Sequence, residues 1–189
     1  MRRAERAIRI LGLILMAGAL TSCETTPDPA DTTGPTITLS QVSPGEVEVF
    51  ESTDPEVVID SPEPCSDGRL LIGTFRQVSG FPIDVLVTGA DDSGVEWLRL
   101  NARKGVLSSA DPPSVSVTTV TVGGVEVGRA RADYSASDPR TARLFTVTVT
   151  PRPGETIVEL EGGAADFNGN DVYTFTTQVG TIEALCEAF

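Results

Sequence analysis

The chain of 189 residues contains no histidine and a single lysine, Lys104. Without histidine, Ser-His-Asp and Cys-His nucleophile systems and His-ligated zinc are excluded. Lys104 sits in the loop "NARKG", with Ser108 and Ser109 nearby. A Ser-Lys pair needs a desolvated lysine, and a lysine in such a loop is read as solvated. A phosphate cradle of the strand, Gly-rich loop and helix kind is missing too, because Gly123-Gly124 and Gly162-Gly163 have no helix after them. Aromatic residues make up 5% of the chain, with one tryptophan and two tyrosines. Carboxylate pairs are expected by chance at this acid density, so they point to no particular reaction. The chain reads as a non-enzyme.

Positive charge is scarce. Lysine and arginine total 14 against 27 acids, for a net charge of −13. The first 22 residues hold four of the arginines and one of the glutamates, which leaves 10 against 26 and a net charge of −16 for the remainder. A surface of that sign repels phosphates and anionic head groups, so no nucleic-acid partner is expected. It suits a cation, or simple solubility.

Long apolar runs are absent except at the start. Residues 1–9, "MRRAERAIR", are basic, and "ILGLILMAGAL" at 10–20 is uncharged and apolar. This is the n-region and h-region of an export signal, about half the ~20 apolar residues that cross a bilayer. Leu20-Thr21-Ser22-Cys23 then resembles the lipobox of bacterial lipoprotein precursors, matching it at all four positions. The resemblance implies cleavage after residue 22 and acylation of Cys23, with the membrane as a partner through the lipid anchor. Two or three acyl chains anchor stably where one, at ~0.8 kcal/mol per buried CH₂, binds marginally. Glu24 is not the aspartate associated with inner-membrane retention, so the expected location is the cell envelope, at the outer membrane.

Residues 23–35 then read as the lipidated cysteine and a Thr/Pro/Asp tether, "ETTPDPADTTGP" after Cys23. The tether has no apolar run, and its prolines stiffen it. At ~3.3 Å per residue it reaches at most ~40 Å.

From Thr36 the chain alternates apolar and polar residues, rich in Val and Thr, between turn signals. Strands are expected at 36–39, 46–50, 84–89, 95–101, 114–122, 125–127, 144–150, 156–162 and 172–179, with a two-residue hairpin at Gly123-Gly124. The fold class is therefore all-β, an antiparallel β-sandwich of about seven to nine strands spanning 36–189 with a C-terminal tail. Two stretches resemble bacterial immunoglobulin-like domains: "PRPGETIVELEGGAADFNGND" at 151–171 and "VTGADDSGVEWLRL" at 87–100. The resemblance implies an immunoglobulin-like sandwich. The segment 103–143 is longer than such domains usually need.

With Cys23 given to lipid, Cys65 and Cys186 form an even pair in an oxidising compartment, read as a disulfide or as two buried thiols. A bridge would close a loop worth nominally ~4–5 kcal/mol in the chain-entropy model. In "TIEALCEAF", Ile182, Leu185, Cys186 and Phe189 would share one face of a terminal helical turn.

The one candidate site is acidic. If the sandwich resemblance holds, "ADDSG" and "ADFNGND" lie at the same end, and Asp91, Asp92, Asp166, Asn168, Asn170 and Asp171 converge. Calcium, a possible cofactor, accepts six to eight such oxygens at ~2.3–2.6 Å. The competing reading is a pair of turns, since Asp, Asn and Gly tolerate the left-handed region and bond their own backbone. Trp97 offers a sugar-stacking surface or, more often in sandwiches, a structural contact, on the outer face or in the core through a bulge. No second aromatic platform is evident. The expected function is a lipid-anchored envelope module for binding or adhesion, toward a protein or glycan partner; the alternative is a calcium-dependent carbohydrate-binding module.

Overall fold

The computed structural model describes residues 30–43, 48–52, 63–68, 70–71, 75–138 and 140–188. The segment read as an export signal and Cys23 lie outside them. In chain order the elements are β1 (Thr36–Ser43), β2 (Glu48–Ser52), β3 (Glu63–Pro64), β4 (Leu70–Leu71), β5 (Phe75–Gln77), β6 (Ile83–Ala90) and β7 (Val95–Arg103). There follow β8 (Gly105–Asp111), β9 (Ser116–Val122), β10 (Val125–Asp133), β11 (Ala142–Pro151), β12 (Ile157–Asp166), β13 (Asp171–Tyr173), β14 (Thr177–Gly180) and helix α1 (Ile182–Ala188).

Two sheets face each other in an all-β, immunoglobulin-like sandwich. The smaller has the order β2-β1-β6-β11-β8; the larger runs β5-β14-β12-β7-β10-β9, with β13 added beside β12. Pairing is antiparallel except where β5 joins β14 in parallel. Strands β3 and β4 form a separate two-stranded ribbon. The sheets hold more strands than the seven to nine expected. Part of the excess comes from the long 103–143 segment, where Lys104, at φ 57°, turns β7 into β8. The expected strand at 172–179 is split, because Thr174 leaves the ladder to bond Gly162 through both its amide and its hydroxyl.

The core follows from alternation. Val85 and Val87 of β6 and Phe145, Val147 and Val149 of β11 point inward from one sheet. Leu98, Leu100 and Ala102 of β7 meet them from the other, with Val158 and Leu160 of β12. Each such aliphatic side chain contributes ~1.5–3 kcal/mol when fully buried. Gly89 lets the sheets approach: the Leu98 side chain occupies the space that any Cβ there would need. At the far tip of the large sheet, Gly123 and Gly124 both have positive φ, the two-residue turn that their sequence demands.

A second, smaller core lies under the C-terminus. Thr181 caps α1, its carbonyl accepting from the Leu185 amide at 2.9 Å and its hydroxyl from the Ala184 amide at 3.3 Å. The helix buries Ala184, Leu185 and Cys186 against Cys65, Phe75 and Ile157. Cys65 and Cys186 are joined as a disulfide, with Cα atoms 5.7 Å apart across a sequence separation of 121. The terminal turn thus forms where its apolar spacing places it. Phe189 lies outside the described residues.

Because the bridge ties α1 to Cys65 across 121 positions, reduction should lower unfolding stability by ~2–4 kcal/mol. Denaturant titration of the wild type beside a Cys65→Ser/Cys186→Ser variant checks this, with the variant matching the reduced protein.

Candidate functional site

Antiparallel pairing brings the β6–β7 turn and the β12–β13 turn to one end of the sandwich, where the sandwich resemblance expects them. The residues that converge there differ in part from the expected six. One carboxylate oxygen each from Asp91, Asp166 and Asp31 lies within 4.8 Å of the others. Asp31 belongs to the segment read as tether, yet Asp31 and Gly34 lie against the sandwich and Pro35 is buried. Its backbone carbonyl accepts from the Asn170 side-chain amide at 3.2 Å, and its carboxylate accepts from the Ser93 hydroxyl at 2.7 Å. The sequence carried no signal for that contact, which spans 139 positions to Asn170.

Asp166 is fully buried. Its Oδ1 accepts from the Asn168 and Asn170 amides, each at 2.8 Å, and its Oδ2 from the Asn170 side chain at 2.7 Å. These are charge-assisted bonds of a tight turn, with Gly169 at φ 86° supplying the reversal. Asp91 accepts from the Ser93 amide at 2.7 Å. Burial, and then the charges of Asp166, Asp31 and Asp92, raise the Asp91 carboxyl above its ordinary 3.8, while the Ser93 bond lowers it. Asp31 is lowered, first by the Thr33 hydroxyl and then by the Ser93 hydroxyl. Asp92 is exposed beside the cluster. Asp171 is exposed at the start of β13 and does not join the trio. Asn168 is half-buried and contributes its amide to Asp166. The trio is compatible with one hard cation, since oxygens ~2.3–2.6 Å from a shared ion stand no more than ~5 Å apart. Each carboxylate also already has a protein donor, so the turns hold together through their own bonds.

A second arrangement lies on the outer face of the large sheet, and the sequence reading gave it little weight. The register of β12 on β7 skips from Ala165↔Trp97 to Asp166↔Val95, a bulge at Glu96. It sends Val95 into the core and Trp97 outward, although the two share parity in the sequence. Trp97 and Tyr173 come to 6.2 Å between ring centroids, tilted by 43°. Both rings lie over Gly163, where a Cβ would meet Tyr173 at 3.0 Å and Trp97 at 3.3 Å. The aromatic faces are covered by guanidinium groups: Arg99 stands 5.4 Å from the Trp97 centroid and 5.0 Å from that of Tyr173, and Arg131 is 4.8 Å from Trp97. Further along β7, Asn101 and Arg103 face outward beside Arg129 of β10 and Glu159 and Glu161 of β12. They line a hollow of about 210 Å³. Four of the chain's 14 basic residues therefore share one face of a protein with net charge −13.

The sole lysine closes this face: Lys104 Nζ is 2.8 Å from Glu159. Ser108 pairs on the other sheet, in register with Thr148. Among the described residues, no helix is long and apolar enough to cross a membrane. No protein-family model matches the chain, and a search of curated proteins finds no match to it.

The raised Asp91 pKa fixes a sign. In the interval above 3.8 the folded protein binds more protons than the unfolded chain, so this group's contribution to stability falls as pH rises through the folded value. In chelator-treated protein, Asp91→Asn, which keeps the acceptor for Ser93, should raise Tm at pH 7. The gain should shrink as pH is lowered toward 3.8, as read by thermal melts across pH.

Proposed function

We propose that this protein is a non-catalytic, lipid-anchored component of a bacterial cell envelope, with the sandwich serving as its binding or adhesion module. The anchor rests on Leu20-Thr21-Ser22-Cys23 behind a basic and then apolar leader. Acylation of Cys23 tethers the chain at the outer membrane, and the related domains are those of bacterial immunoglobulin-like proteins. One observation carries the binding role: an acidic chain gathers Arg99, Arg103, Arg129 and Arg131 with Trp97 and Tyr173 on one open sheet face around a hollow. The partner is a protein or a glycan.

Retention of the full chain on isolated envelope material and on a glycan array tests the module. Binding that is lost in an Arg99→Ala/Arg131→Ala variant supports the reading, and no retention on either surface refutes it. The anchor has its own test. Cys23→Ala should leave the precursor uncleaved and no longer partitioned into detergent, and mass spectrometry of the mature N-terminus should find an acylated Cys23. An unmodified N-terminus at another residue overturns the lipoprotein assignment.

The second reading, a calcium-dependent carbohydrate-binding module, is favoured by the convergence of Asp31, Asp91 and Asp166. A calcium ion there would relieve the repulsion among three carboxylates and fix the N-terminal segment to both turns. Calorimetric titration should show heat and a rise in Tm at millimolar calcium, both lost in Asp91→Ala/Asp166→Ala. Silence in the wild type leaves the loops as turns.

A further inference from the structure

The hollow on the large sheet has a chemistry of its own. Arg99, Arg103 and Arg129 contribute three guanidinium groups, and Glu159 and Glu161 contribute two carboxylates, with Asn101 between them. The carboxylates do not absorb the cations. Glu159 is engaged from the side by Lys104 at 2.8 Å, and Glu161 accepts from Asn101 at 3.1 Å while Arg99 stands off at 4.0 Å. Arg129 spends its Nε on the Asn101 oxygen at 3.1 Å, and Arg99 Nε is inaccessible and has no acceptor. Arg103 is exposed and makes no ion pair among the described residues. Burial first, and then Arg99 and Arg131, push the Arg129 guanidinium below its ordinary value, while Glu161 and Tyr173 act the other way.

Such a lining selects by elimination. A phosphate monoester dianion can satisfy the guanidinium groups, yet it has no O–H to give to Glu159 and Glu161 and sets like charge against them. A neutral sugar leaves the exposed Arg103 guanidinium without a counter-anion. A ligand with one carboxylate and several hydroxyls satisfies both signs: its acid takes the planar forks of the arginines, and its hydroxyls give to Glu159 and Glu161 and accept from Asn101. The hollow of about 210 Å³ lies below the ~300–1,000 Å³ that holds drug-sized ligands, so it accommodates one ring. The Trp97 and Tyr173 rings are occupied by Arg99 and Arg131, so their part is to hold those guanidinium groups in place and not to stack on the ligand.

We infer that the hollow between β7, β10 and β12 is a subsite for one acidic sugar ring, a hexuronate bound through its carboxylate and hydroxyls, an assignment that rests on the binding-module reading. The test is calorimetric titration of the full chain in detergent with trigalacturonic acid, its trimethyl ester and an oligoglutamate of equal charge. The acid should bind, and the ester should bind about tenfold more weakly or less. Arg103→Gln, at an exposed position, should lower affinity for the acid about tenfold with Tm unchanged, and Glu161→Gln should weaken acid and ester alike. Equal binding of acid and ester, or binding of oligoglutamate alone, overturns the acidic-sugar assignment and leaves the module a binder of something else. Acid binding that is indifferent to both variants overturns the location. If no probe binds, the assignment falls, and retention on envelope material or the glycan array then decides separately whether the binding-module reading stands.

Discussion

The register of β7 between β10 and β12 is the constraint on which the rest of the molecule depends. A strand has a period of two, so Leu98, Leu100 and Ala102 cannot enter the core without turning Trp97, Arg99, Asn101 and Arg103 outward. A slip of one residue would exchange the faces and bury arginines against valines. The core therefore specifies the outer surface as firmly as it specifies itself. The same logic carries across the sheet, because Arg131 stands opposite Arg99 and Arg129 opposite Asn101 only while Ala130 and Ala132 point inward.

The two ends of the sandwich are secured by different physics. At one, covalent closure between Cys65 and Cys186 holds a helix of seven residues that is too short to be stable alone. At the other, carboxylates of like charge are held close by amide and hydroxyl donors from Ser93, Asn168 and Asn170. One end is strengthened by a bond whose stability is indifferent to charge; the other is a balance between hydrogen bonding and repulsion, and so responds to pH.

What the sequence made legible was whatever local pattern determines. Alternation in "DVLVTG" and "LFTVTVT" marks β6 and β11, and Gly123-Gly124 marks its own turn. The acidic turns were legible as turns, and sandwich topology made Asp91 and Asp166 neighbours. Asp31 was not legible, because its partners are set by where a proline-rich segment comes to rest and no periodicity encodes that. Strand β8 was missed because "GVLSSAD" has too few apolar positions to declare itself; it forms by pairing with β11. The sequence leaves Trp97 open between the outer face and the core, and the structure turns it outward while Val95 goes inward. Parity groups Trp97 with Val95, and only a bulge at Glu96, a property of the pairing with β12, separates them. Likewise Tyr173 reaches Trp97 because Gly163 leaves room above the sheet, which no reading of either aromatic alone would reveal.

The position of Asp31 has a mechanical meaning. Asp31 precedes every described strand in the chain, so a pull from its N-terminal side arrives there before it reaches β1. The first resistance is two hydrogen bonds, from Ser93 and Asn170. Behind them stands β1, laced to β2 on one side and β6 on the other, which must be stripped from both neighbours at once. Tension would therefore be met in two stages: a weak latch that opens and recloses, lengthening the leash by a few residues, and then a ladder that resists until the domain itself gives way. Because the latch is built on a carboxylate, the force at which it yields varies with the acidity of the surroundings, while the ladder's does not.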